Sequence, residues 1–114
     1  MPPRSSRRDA AYLNDMREAC AKIASRTLGR QLVDLVANEE LRDGIVLQLS
    51  HLGEAASHLS EQTRRSYPDV AWRELVGLRN LLVHKYWAVD HLKIWEYART
   101  DVPALLQSLT ETKP

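Results

Sequence analysis

Residues 41–63 read LRDGIVLQLSHLGEAASHLSEQT, and the spacing of their apolar members decides the fold class. Leu41, Ile45, Leu49, Leu52, Ala56, Leu59 and Thr63 recur by threes and fours, the repeat of one helix face. The stripe predicts one long helix. Gly53, Ala55, Ala56 and Ser57 leave a stretch of small side chains within it. A glycine inside a helix costs about 1 kcal/mol relative to alanine. Its presence predicts that a second helix packs closely there.

The same periodicity extends both ways. Upstream, Gln31 to Ala37 predicts a brief helix, and Asn38 is placed to cap the long one. Before that, Leu13, Met16, Cys20, Ile23 and Thr27 mark a first helix, with Asp9 as its expected cap and Gly29 as its end. Downstream, Tyr67-Pro68-Asp69 breaks the chain, since proline biases the residue before it away from the helical region. Asp69 is the expected cap of a helix through Trp72, Leu75, Val76, Arg79, Leu82 and Val83. Asp90 is the expected cap of a last helix through Leu92, Trp95 and Ala98, which Pro103 kinks or restarts before Leu105, Leu106 and Leu109. No period-two strand pattern competes with these stripes. The expected architecture is all-α, an up-and-down bundle of four to five helices. It forms one domain over 9–114, preceded by a flexible basic arm over 1–8. Several apolar stripes in so short a chain also predict a dimer.

A chain of 114 residues supports one modest core. With no phenylalanine, that core falls to Leu, Val, Ile and Ala, with Trp and Tyr as its bulky members. Cys20 is the only cysteine. It has no internal disulfide partner and sits at a core position, so a buried thiol in a reducing cytoplasm is expected rather than a nucleophile. No apolar run reaches the roughly 18 residues of a membrane span, and no apolar segment after the basic start suggests a secretory signal. Charge is uneven. Residues 1–30 hold seven basic and three acidic side chains; the rest hold nine and twelve. A basic first third suits a phosphate-bearing partner.

Chemistry concentrates in Gly77-Leu78-Arg79-Asn80-Leu81-Leu82-Val83-His84-Lys85-Tyr86-Trp87. Arginine presents a planar fork of donors to a phosphate that gains charge in a transition state. Histidine accepts and returns a proton near neutral pH. Asparagine orients either one. With RNA the nucleophile is the substrate's own 2′-hydroxyl, so this set suits phosphodiester cleavage without metal or cofactor. At roughly 100° per residue, Arg79 and His84 stand about 140° apart on a helix. They converge if the helix ends near His84, if the arginine bends round, or if a partner chain completes the site.

Gly77-Leu78-Arg79-Asn80 followed by Val83-His84-Lys85-Tyr86 resembles the R-x4-H-x-Y signature of HepT-like toxins of the HEPN superfamily. Leu52-Gly53-Glu54-Ala55-Ala56 is similar to that family's I-G-E-A segment. Tyr67-Pro68-Asp69-Val70-Ala71-Trp72-Arg73-Glu74 is similar to its P-x-(I/V)-x-W-(R/K) lead-in, and Tyr12 to Met16 to its opening helix. The resemblance implies a helical homodimer that acts as a metal-independent endoribonuclease on RNA and is paired with a small nucleotidyltransferase antitoxin. It implies Arg79 and His84 as the catalytic pair, Asn80 as their polar neighbour, and Tyr86 as the tyrosine on which the antitoxin places AMP. Lys85 stands where the family often has glycine, and adds a positive charge beside the site.

Glu54 is a candidate partner for Arg79, because the small residues around it permit close approach. His51, Glu54 and His58 share a helix face, more simply read as a polar boundary than as metal ligands. Trp72 and Trp95 fall on apolar faces, and Trp87 is the better candidate for stacking on a base. A rival reading is a non-catalytic helical module that binds a nucleotidyltransferase and presents Tyr86 or a substrate to it.

Overall fold

The computed structural model describes residues 4–85 and 89–110. The elements are α1 (Arg4–Thr27), α2 (Leu32–Ala37), α3 (Glu39–Ser57), α4 (Glu61–Arg65), α5 (Trp72–Lys85) and α6 (His91–Glu96), then a π-helical turn (Tyr97–Asp101) and α7 (Val102–Thr110). There is no strand among the described residues. The fold is all-α, as the apolar stripes predict.

Helix α3 is the centre of the bundle. It packs against α1 on one side and α5 on the other, while α7 and the π turn close on α1. The predicted stripes supply the core: Met16, Cys20 and Ile23 from α1, and Ile45, Leu49 and Leu52 from α3, with Leu35, Ile94 and Leu109 against them, all essentially without solvent contact. Each buried aliphatic side chain contributes about 1.5–3 kcal/mol. Burial pushes the Cys20 thiol up to about 12, so it stays protonated and unreactive.

Several local features follow the expected chemistry. Gly29 ends α1 with a φ of 71°. The Asn38 side chain accepts from the Leu41 N–H, and Asp90 from that of Leu92, each at 3.0 Å.

Others depart from it. Helix α1 begins at Arg4, so the basic stretch expected as a flexible arm is helical from Arg4 on, and Asp9 lies inside the helix rather than at its cap. Asp9 is buried, and a buried carboxylate needs donors. It takes them from the turn before α4: the Ser60 N–H, the Ser60 hydroxyl and the Thr63 hydroxyl all donate to it. That turn divides the helix expected over 41–63. Helix α3 stops at Ser57, and Ser60 caps a separate α4. Asp69 lies in the turn before α5, which opens only at Trp72.

Pro103 has a structural answer as well. Proline has no N–H to return to the carbonyl four residues back, and its ring collides with that carbonyl. The chain widens just before it, and the Val102 N–H reaches the Tyr97 carbonyl across the π turn. Among the described residues, no helix is long and apolar enough to cross a membrane.

Candidate active site

Helix α5 lies on α3 at Gly53. A Cβ at that position would collide with Arg79 Cβ and stand 3.0 Å from the Leu75 carbonyl. Only glycine allows this approach, and it brings α5 close enough for the next residue of α3 to reach Arg79. Glu54 Oε2 meets Arg79 Nη2 at 2.6 Å. Arg79 Nη1 donates to Asn80 Oδ1 at 2.7 Å. The arginine is thus held by a carboxylate from α3 and an amide from its own helix, and it keeps 29% of its side chain in solvent. Its Nε is buried, with no hydrogen-bond partner among the described residues.

The other Glu54 oxygen, Oε1, lies 3.0 Å from His58 Nε2. The His58 ring stacks on Tyr12 of α1 with centroids 4.9 Å apart and planes 15° from parallel. A chain of contacts therefore runs from α1 through the end of α3 to α5. The His58 hydrogen bond, together with the charge and hydrogen bond of Arg79, outweighs desolvation and holds the Glu54 carboxyl below its ordinary range. Glu54 is thereby kept as the anion that Arg79 needs. The Glu54–His58 pair follows from i, i+4 spacing. The Tyr12 stack is long-range, and only the closeness of α1 and α3 brings it about.

His84 is exposed in the last described turn of α5, as is Lys85. It shares a face with Asn80, four residues earlier. The structure thus brings Arg79, Asn80 and Glu54 together and sets His84 one turn further along α5. The helix is continuous through Lys85, so it does not end between Arg79 and His84. Tyr86 and Trp87 lie outside the described residues. Trp72 and Trp95 are half-buried against the core. The Trp72 Nε1 donates to the Arg64 and Tyr67 carbonyls. No cluster of three or more His, Cys, Asp or Glu among the described residues is arranged to hold a metal ion, His51, Glu54 and His58 included.

Comparison with known proteins places this chain in a family. A family model described as "Ribonuclease HepT-like" matches residues 16–112. "Putative RNase MJ1380" of Methanocaldococcus jannaschii is 33% identical over 101 residues, covering 88% of this chain and 93% of that protein. "Putative RNase TTE0752" of Caldanaerobacter subterraneus subsp. tengcongensis is 30% identical, covering 88% and 89%. "Probable ribonuclease HepT" of Thermococcus cleftensis is 29% identical, covering 82% and 86%. No solved structure matches significantly. With nearly the whole chain matched, this protein belongs to the HepT-like ribonuclease family.

Proposed function

We propose that this protein is a toxin endoribonuclease that cuts RNA with Arg79 and His84 and uses no metal ion. The observation that carries this reading is the fixing of Arg79 by Glu54 at 2.6 Å and by Asn80 at 2.7 Å. A guanidinium held in place loses little freedom on binding a phosphate and is already oriented for the charge that develops. Each Nη keeps a further N–H for the substrate. His84 takes the proton from the 2′-hydroxyl as that oxygen attacks the adjacent phosphorus, or returns one to the departing 5′-oxygen. The P–O5′ bond breaks as the P–O2′ bond forms. The products are a 2′,3′-cyclic phosphate, or its hydrolysis product, and a 5′-hydroxyl.

Regulation belongs to the same reading. Tyr86 follows His84 by two residues, so AMP added there by a nucleotidyltransferase antitoxin would stand next to the proton-transfer group and block RNA. The working form is a cytoplasmic homodimer. Leu47 of α3 and Leu81 and Val83 of α5 support an intersubunit face, since all three are large, apolar and exposed.

The test is cleavage of RNA by the unmodified protein in EDTA. Both His84→Ala and Arg79→Ala are expected to lose cleavage by about 100-fold or more, the scale of removing a general base or an oxyanion-type donor. Full activity in both variants would end the assignment. Intact mass after co-expression with the transferase tests the regulation: AMP additions should appear and disappear in Tyr86→Phe.

A further inference from the structure

Helices α4 and α5 enclose an open groove of about 630 Å³. Arg64 and Arg65 line it from α4, and Arg73, Gly77 and Asn80 from α5. Its one carboxylate, Glu61, is exposed and sits 3.9 Å from Arg65. The groove is therefore strongly positive. Arg73 and Arg65 are exposed, whereas Arg64 is pinned by donating to the Ala56 carbonyl at 3.0 Å.

The direction of the groove follows from helix geometry. Arg73, Gly77, Asn80 and His84 are separated by four, three and four residues. At roughly 100° per residue they fall within about 60° of one face of α5. The arginine-lined groove thus runs along that face to Asn80 and on toward His84.

Gly77 supplies a second, independent observation. It stands inside α5, where glycine costs about 1 kcal/mol relative to alanine. At Gly53 packing explains the residue. At Gly77 a Cβ would meet nothing within 4 Å, and the position is exposed. Nothing in the packing of the chain's described residues calls for glycine there. A bare helix surface between two cationic side chains and the candidate active site suits the close approach of a ligand backbone.

We propose that the α4–α5 groove is the track for the single-stranded RNA backbone on one side of the scissile phosphate. Arg65 and Arg73 contact phosphates, and Gly77 keeps the floor open so that the strand lies close to α5 on its way to Asn80 and His84. This rests on the ribonuclease reading and adds to it where the substrate lies.

The experiment is fluorescence anisotropy with an end-labelled single-stranded RNA oligonucleotide across a salt series. The His84→Ala protein is used so that the strand survives, and Arg65→Glu, Arg73→Glu and Gly77→Leu are each added to it. Each is expected to weaken binding about tenfold or more. The two charge reversals should also flatten the salt dependence by about 0.7 in log–log slope for every phosphate that is no longer neutralised. Gly77→Leu, which favours helix, should leave the salt slope in place and raise the melting temperature while filling the groove. If the protein cuts RNA but the three variants bind it like the parent, the track is wrong and the ribonuclease reading stands. A parent protein that neither binds nor cuts RNA overturns both.

Discussion

Arg79 has the chemistry of a phosphate ligand and the surroundings of a packed residue. Its Cβ lies against Gly53, its Nε is buried, and each terminal nitrogen gives one N–H, to Glu54 or to Asn80. Lysine cannot reproduce that fork, so Arg79→Lys should fail despite keeping the charge, with RNA cleavage falling about 100-fold. Glu54→Gln keeps an acceptor but removes the charge. The charge-assisted hydrogen bond to Arg79 is then lost, so a fall of about tenfold or more in cleavage is expected, with the fold intact because Glu54 is half-exposed. Steady-state cleavage of one labelled RNA checks both; parent-like rates would remove Glu54 from the site. The two glycines, one packed against α5 and one within it, give a contrast in stability. Gly53→Ala forces a Cβ into Arg79 and should destabilise by about 1–3 kcal/mol. Gly77→Ala meets nothing and should stabilise by about 0.5–1 kcal/mol. Thermal melts should move in opposite directions, by about 4–8 °C per kcal/mol for a domain of this size.

At the scale of elements, Asp9 ties α1 to the start of α4. Burial works to raise its carboxyl pKa, but the hydrogen bonds from Ser60 and Thr63 outweigh that and hold it below the ordinary aspartate value. A depressed folded pKa means the contribution is fully present above the unfolded value. It is lost as pH falls through the ordinary carboxylate range toward the folded one. Asp9→Ala should therefore destabilise by about 1–3 kcal/mol near neutral pH, by stranding the Ser60 and Thr63 donors. The difference between variant and parent should shrink in melts taken at increasingly acidic pH; a gap that widens with acid would refute the assignment. This tether also shows what the sequence could and could not disclose. Apolar spacing reveals which face of a helix is buried, so the stripes of α1, α3 and α5 were legible, as was the close approach at Gly53 that puts Glu54 beside Arg79. Local caps were legible where the acceptor is a neighbour, as at Asn38 and Asp90. Asp9 was not, because a carboxylate near a helix start has the same composition whether it caps its own helix or accepts from donors 51 residues away. Arg17 was hidden for the same reason. Its guanidinium donates to the Leu109 carbonyl near the end of α7, a partner that only the folded chain supplies.

The whole molecule must reconcile two residues that diverge. Helix α5 runs unbroken from Arg79 through His84, which leaves them about 140° apart. The arginine is anchored on the α3 side, so bending round the helix would break its hydrogen bonds with Glu54 and Asn80. Of the three ways to unite the pair, a second copy of the chain then asks least of the structure. A two-fold dimer could pair Arg79 of one chain with His84 of the other, twice over. The prediction is complementation. Arg79→Ala and His84→Ala proteins, each inactive alone, are co-expressed so that mixed dimers form. In a mixed dimer, one composite site loses both groups and the other keeps both. Half the dimers in a random mixture are mixed, so about a quarter of the parent sites should return, with cleavage recovering in proportion. If Arg79 and His84 of the same chain act together, every site in every dimer lacks one of them, and cleavage stays at the level of the single variants.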